Sequence, residues 1–465
     1  MIEGQIESYF QENRDRHLAE LQEFLRIPSI SALPEYGPAV RDAAEWTAER
    51  LGDAGVAAIR IIETGGHPAV YAEWLGAPGA PTVLVYGHYD VQPPDPLDRW
   101  ATPPFEPSIR EGRLYARGVS DDKGPLFIAI KAAEALLALN HRLPLNVKFL
   151  FEGEEEVGSP NLRPLIETKA GMIAAGLVLS ADGAMWRASE SSLTLAGRGL
   201  CAFQVGLRTA RTDLHSGRHG GGVPNALHAL AELVAGLHDQ EGRVAVDGFY
   251  DRVLPLTPAE RSQLAALPFD EEAYCGDLQL EALIGEPGYS TLERQWARPT
   301  LECNGLWGGF QEEGSKTVIP CEAHAKFTCR LVPDQRPEEV LDLVEAHLRS
   351  HTPKGARVHV RRFPGSALPY RIPSDYPALK IAGEVLEGVT GMPPLYVRMG
   401  GTLPAAEVFT ELLKAYTLFF SFSTADEQFH APNEFFRLER FDAGARAWTA
   451  LWQKLAAEAG QSLRG

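Results

Sequence analysis

Hydrophobic positions along this chain change period from segment to segment, and the changes predict its elements. Residues Ile6–Leu25 carry Ile6, Phe10, Leu18, Leu21 and Phe24 on roughly one face, the spacing of an amphipathic helix. Pro28 stops it, because a proline pushes the preceding residue out of the helical region. A second helix is predicted over Ala39–Leu51, then strands over Ala57–Ile62 and Val70–Trp74. Thr82–Tyr86 is a run of β-branched and aromatic residues closed by Gly87, which reads as a buried strand. Gly112–Ala116 is a short strand that leads into R-G-V-S-D-D-K-G at 117–124. Pro125–Leu139 is apolar on nearly every side, which predicts a helix buried under a sheet. Strands at Val147–Phe151 and Leu177–Ser180 follow. Strands alternating with helices predict an α/β fold with a mostly parallel sheet and helices on both faces.

After about Ser191 the pattern changes. Leu193–Leu207 reads as strands that are only half buried, and a glycine-rich turn at Ser216–Gly222 precedes a helix over Pro224–Leu237. Asp239–Pro299 is rich in proline and weakly periodic. Strand Ala325–Val332, helix Pro337–Arg349 and strand Arg357–Arg361 complete a smaller α+β unit. From about Pro364 the α/β pattern returns, with a helix over Pro377–Val389, a strand over Ala415–Phe420 and a last helix over Phe441–Ala457. The expected organisation is a discontinuous α/β domain, residues 1–191 and 364–465, with an α+β domain inserted at 192–363.

Composition narrows the class of function. The 465 residues suffice for two cores, and 45% hydrophobic residues is ordinary for a globular protein. Lys plus Arg number 44 against 62 Asp plus Glu, a formal charge of −18. That balance argues against nucleic acid and anionic membranes as partners. No apolar run is long enough to span a bilayer: Phe127–Leu139 is interrupted by Lys131 and Glu134. The opening M-I-E-G-Q-I-E-S-Y-F is acidic and has no signal-peptide core. Five widely spaced cysteines without C-x-x-C read as free thiols, so a cytoplasmic location is expected.

The candidate chemistry falls at strand ends. His88 and Asp90 follow Thr82–Tyr86, and alternate residues of an extended segment face the same way. Both can therefore point out of the sheet edge at which open α/β folds bind ligands. A lone His-x-Asp is more often a surface histidine beside a turn. Here Asp121 lies in the 117–124 loop, Glu155 and Glu156 follow another strand, Asp182 a fourth, and His430 lies after Ala415–Phe420. This nitrogen and oxygen donor set, without thiolate, suits two Zn²⁺ or Mn²⁺ ions. Such ions, about 3.5–4 Å apart, need a bridging carboxylate and leave room for a water. Two adjacent glutamates allow one to bind metal while the other stays free as a base.

These stretches come together in a recognisable set. H-Y-D at 88–90, G-R-L-Y-A-R-G-V-S-D-D-K-G at 112–124, E-G-E-E-E-V-G-S at 152–159, S-A-D at 180–182 and D-L-H-S-G at 213–217 are followed by K-T-V-I-P at 316–320, C-R-L-V-P at 329–333, G-G-T-L-P at 400–404 and H-A-P-N-E at 430–434. In order and spacing, over nearly the whole chain, they resemble the co-catalytic metallopeptidase family of aminoacylase, glutamate carboxypeptidase and succinyl-diaminopimelate desuccinylase. The carnosinase and cytosolic non-specific dipeptidase branch is nearest.

The resemblance implies roles for particular residues. His88, Asp121 and Asp182 would hold one metal, and Asp121, Glu156 and His430 the other, with Asp121 as bridge and Zn²⁺ as the expected ion. Asp90 would orient His88. Glu155 would be the general base. His215, on the inserted lid and dimerisation domain, would reach the oxyanion, in dimers from the partner subunit. Arg330 would grip the substrate carboxylate, and Thr317, Gly401 and Thr402 would line the pocket. Arg398 and Asn433 are nearby polar residues at which structural hydrogen bonding is the equal reading. The family often has Ser at the position of Thr402, and acylase-like relatives tend to have Glu at that of Asp182. The first puts substrate preference in doubt, while Asp at 182 favours a dipeptidase acting on a free dipeptide. His215, far along the chain from every metal ligand, leads to the expectation of a homodimer through the inserted domain. By the same resemblance the Asp121–Asp122 peptide bond is expected to be cis, with Lys123 and Gly124 opening the buried helix close to the sheet.

Other chemistries lack their motifs: G-x-S-x-G, H-E-x-x-H, G-x-G-x-x-G and G-x-x-x-x-G-K-[ST] are all absent. An inactive metal-binding scaffold would be expected to lose the base, and Glu155 is present. The rival enzyme is an N-acyl-amino-acid amidohydrolase, which shares the metals and base but needs no free amine on its substrate.

Overall fold

The computed structural model describes residues 2–458 and Leu463; Met1 and positions 459–462, 464 and 465 of the expected C-terminal segment lie outside the described residues. The chain divides into two compact units, residues 1–195, 372–397 and 408–465 in one and residues 196–371 and 398–407 in the other. Residues 398–407 thus group with the inserted unit.

The first unit is built on a six-stranded sheet in the order Ala58–Ile62, Ala69–Trp74, Asn146–Glu152, Thr82–His88, Leu177–Ser180 and Thr417–Phe419. The last four run parallel, and the first two form an antiparallel edge. The middle strands are buried along nearly their whole length, which is why they read as apolar runs without alternation.

Helix Lys123–Asn140 is buried from Lys123 to Leu136 and contacts strand Thr82–His88 and helices Ile2–Leu25 and Leu438–Glu458. It opens at Lys123, as the resemblance implies, two residues before the apolar run that begins at Pro125. A proline in the first turn costs little, because those N–H groups have no intrahelical acceptor. The Asp121–Asp122 peptide bond is cis, as expected, and so is Asp95–Pro96. Gly124 has a different reason from the one expected: a Cβ there would lie 2.1 Å from the Val119 carbonyl oxygen, so the close approach is to its own loop. The strand expected over Ala415–Phe420 is confined to Thr417–Phe419.

The second unit is an antiparallel four-stranded sheet in the order Thr300–Gly308, Glu322–Leu331, Gly199–Arg208, Arg357–Arg362. Gly199–Arg208 alternates buried and half-buried residues, the mark of a sheet covered on one face. Cys201, Phe203, Val205, Phe327 and Cys329 point into a core with Leu230 and Leu233 of helix Ala226–Ala235 and Val340, Leu341 and Val344 of helix Pro337–Ser350. The first of these helices begins later than expected, because Asn225 is extended and its side chain caps the Leu227 N–H. Strand Thr300–Gly308 buries only Leu301 along its length, so no period announced it. Among the described residues no helix is long and apolar enough to cross a membrane.

Candidate metal centre

The register of the parallel strands brings the site together. His88 pairs with Glu152, and Tyr86 with Ser180, so the loops after three strands leave from one sheet edge. Gly87 is needed there. A Cβ on it would lie 2.5 Å from Asp122 Oδ2, which accepts the His88 backbone N–H at 3.1 Å.

One carboxylate spans two imidazoles. Asp121 Oδ1 lies 3.1 Å from His88 Nε2, and its Oδ2 lies 3.0 Å from His430 Nε2. His430 Nε2 is also 3.2 Å from Glu156 Oε2. Two triplets therefore share Asp121. In each of them, His88–Asp121–Asp182 and Asp121–Glu156–His430, one ligand atom per residue lies within 4.8 Å of the others. His88 is fully buried, with Nδ1 3.1 Å from the Asp90 carbonyl oxygen and 3.3 Å from Asp90 Oδ1. That leaves Nε2 facing Asp121, the arrangement of a histidine prepared for a cation.

The titrating groups report crowding of negative charge. Burial alone would raise Asp121, but hydrogen bonds from His430 and His88 hold it below the usual carboxylate range. Burial lifts Asp182 to about 6, with Asp121 and Glu156 adding to the lift against His88. Glu155 stands well above the ordinary range, first through burial and then, against His88, through Asp182, Asp121 and Glu156. His430 is raised to about 10 by its hydrogen bonds to Asp121 and Glu156. Carboxylates this close cannot all ionise beside one another without cations, and the donors are all nitrogen and oxygen. The residues fit divalent ions. Glu155 belongs to neither triplet.

Supporting residues hold this geometry. Asp90 accepts the Glu155 and Glu156 backbone N–H groups and the Ser31 hydroxyl. Gln92 Nε2 donates to Glu156 Oε2 at 2.9 Å. Glu434 is fully buried and accepts the backbone N–H groups of Gly118, Ser120 and Asp121 and the Arg117 guanidinium, so it moulds the 117–124 loop. Glu434 and Asp122 sit inside recognised motifs, and their adjacency to ligands was a usable signal; Ser31 and Gln92 had none.

The second unit carries the remaining residues. His215 is exposed on the two-residue strand Leu214–His215, which pairs with Val318–Ile319, and its Nδ1 accepts the Gly217 N–H at 3.1 Å. The Thr317 carbonyl accepts the Ser216 N–H at 3.1 Å, so Thr317 adjoins His215. Arg330 lines a cavity of about 950 Å³ together with Arg198. The Arg198 N–H donates to the Gly401 carbonyl at 2.8 Å, and Thr402 follows in the same half-buried turn. Arg398 forms a buried ion pair with Glu260 at 2.5 Å. In the first unit, Asn433 bonds the Ala101 N–H and the Arg99 carbonyl, so both residues are held structurally.

The profile of peptidase family M20/M25/M40 matches residues 84–454. A Cys-Gly metallodipeptidase of Schizosaccharomyces pombe is 31% identical over 95% of this chain and 96% of its own length. The crystal structure of human carnosine dipeptidase 1 aligns with a TM-score of 0.77 and 29% identity, covering 98% of this chain and 99% of that one. An M20 family metallo-carboxypeptidase from Sulfolobus solfataricus aligns with a TM-score of 0.80 and 32% identity, covering 95% and 99%.

Proposed function

This chain belongs to peptidase family M20/M25/M40 and is a metal-dependent dipeptidase; we propose that it works with two divalent ions, Zn²⁺ first among them, held by His88, Asp121, Asp182, Glu156 and His430. The observation that carries this reading is the Asp121 carboxylate, which offers one oxygen to each histidine. When bound, such ions polarise a scissile carbonyl and acidify a water.

The chain's own residues supply the rest. Glu155 takes the proton of the attacking water and delivers it to the leaving amine, a role open to it because it belongs to neither ligand triplet. Asp90 fixes the ring of His88 and the loop that bears Glu155. Arg330 grips the substrate's C-terminal carboxylate, while Thr317, Gly401 and Thr402 shape the pocket. The inserted domain, expected at residues 192–363, acts as a lid and dimerisation unit, and the exposed His215 serves the oxyanion in the partner's site of a homodimer. Sedimentation tests that arrangement: a fully active monomer at micromolar concentration would remove it. The five free cysteines suit a reducing cytoplasm.

The deciding experiment starts from enzyme stripped by a chelator and reloaded with Zn²⁺, Mn²⁺ or Co²⁺. Dipeptides, longer peptides and N-acyl amino acids are then offered. Turnover of dipeptides with a free amine is expected. Preference for N-acyl amino acids would turn the reading to an amidohydrolase on the same centre.

A further inference from the structure

One cavity of the second unit holds two arginines that form no ion pair among the described residues, with the Glu302 carboxylate in the same lining. Arg330 lies opposite Thr300 on one neighbouring strand and Leu200 on the other. Strand residues alternate faces, so Leu200 and Arg330 share one; Arg198 lies just before that strand, outside the paired register. The other face is the apolar core that holds Cys201, Leu301 and Cys329. Arg198, Arg330, Thr300 and Thr328 all line the 950 Å³ cavity. Arg298 also lines it but is neutralised by Glu286, at 2.6 and 2.8 Å. Among the described residues neither Arg198 nor Arg330 has such an ion pair.

Arg198 is fixed from behind. Its backbone N–H donates to the Gly401 carbonyl, its Nε to the Gly400 carbonyl at 2.9 Å, and its Nη1 reaches the Arg298 carbonyl at 3.5 Å. Nη2 has no acceptor among the described residues, and the missing side chain at Gly400 leaves it room: a Cβ there would lie 3.3 Å from Nη2. Burial first, and then repulsion from Arg330, pulls Arg198 down to about 10 against the pull of Glu302. It still carries its charge at neutral pH. Two like charges held in one cavity are relieved by an anion that contacts both.

We propose that Arg198 and Arg330 form a two-guanidinium clamp for the C-terminal carboxylate of the dipeptide, with Arg198 as a further binding residue. The inference rests on the dipeptidase reading and on the role given there to Arg330. A carboxylate has about four acceptor positions. The Arg330 fork takes two of them, and Arg198 Nη2 takes one that a single guanidinium leaves open. A substrate whose C-terminus is an amide would leave both cations unmatched.

The test uses the metal-reconstituted full chain with alanyl-leucine and alanyl-leucinamide. Arg198→Met is expected to raise KM for the free acid by about 10- to 100-fold, the worth of a charged hydrogen bond, with little change in kcat or in the already poor hydrolysis of the amide. Arg198→Lys is expected to recover part of the loss, because it restores charge without the fork. Equal effects on acid and amide, or an unchanged KM for the acid, would overturn the clamp. Calorimetric binding of leucine against leucinamide reads the same clamp without turnover. If the wild type cleaves no dipeptide but Arg198→Met erases a preference for leucine, the clamp stands and only the dipeptidase reading falls. If the two ligands bind wild type equally, the clamp is wrong.

Discussion

Asp90 Oδ1 accepts the backbone N–H of Glu155 at 3.2 Å. The same oxygen lies 3.3 Å from His88 Nδ1, so one buried carboxylate ties the imidazole to the loop of the proposed base. Asp90→Asn keeps the shape but removes the charge and turns one acceptor into a donor. Metal affinity or kcat/KM is expected to fall about 10- to 100-fold, the usual effect of losing a partner behind a metal-ligating histidine. Zn²⁺ titration into stripped enzyme, followed by kinetics at saturating metal, separates the two losses.

Glu155→Gln is expected to retain both metals and lose turnover. Glu155 stands outside both ligand triplets, so metal content should be unchanged by elemental analysis. General-base loss alone costs about 10²–10⁴-fold, and the upper end is expected because the same group also protonates the leaving amine. A variant that keeps most of the wild-type rate would refute the role.

Glu434→Gln should destabilise the protein without removing a candidate metal ligand. It leaves the buried Arg117 guanidinium, 2.7 Å from Glu434 Oε2, without its counter-charge, and it turns an acceptor for backbone N–H groups into a donor. Breaking a buried pair in this way costs about 3–5 kcal/mol. Urea unfolding followed by tryptophan fluorescence measures it. A change below 1 kcal/mol would show that the loop does not depend on Glu434.

Acid stability should depend on Glu134. On helix Lys123–Asn140 it accepts Tyr9 from helix Ile2–Leu25 and pairs with Arg16, His17 and Lys131. Burial alone would raise its pKa, but those partners hold it far below the usual range. A depressed carboxylate contributes stability that is complete above its unfolded pKa, about 4.3, and is lost as pH falls further toward the folded value. Glu134→Gln should therefore flatten the fall in stability below about pH 4. At pH 7 it should cost about 2–3 kcal/mol, less than for a fully enclosed pair because the Arg16 side chain is 43% exposed. Thermal melts of both proteins across pH 3–7 test the difference.

Much of the centre is legible in the sequence. The strand Thr82–His88 is an apolar run that stops at a histidine, and each other ligand follows a strand or lies in a loop with its own motif. The second unit was harder to read. Strand Thr300–Gly308 buries only Leu301, so its side chains carry no alternation. Leu193–Leu207 was expected as half-buried strands; Gly199–Arg208 alternates in that way, but Ser192–Gly197 is buried along its whole length, which its own residues do not announce.

Local chemistry along the chain determined which groups could meet a cation: imidazoles, carboxylates and a glutamate pair at the ends of buried strands. It also determined where strands and helices form, because burial periodicity is a short-range property. Only the tertiary structure decided that Asp121 divides its two oxygens between His88 and His430, residues 33 positions before it and 309 after it. It likewise decided that Glu434 receives the backbone N–H groups of Gly118 and Asp121, and that Arg198 lines one cavity with Arg330. Those relations come from strand register and chain crossovers, which place groups together with no regard to their separation in sequence, and so leave no periodic trace in it.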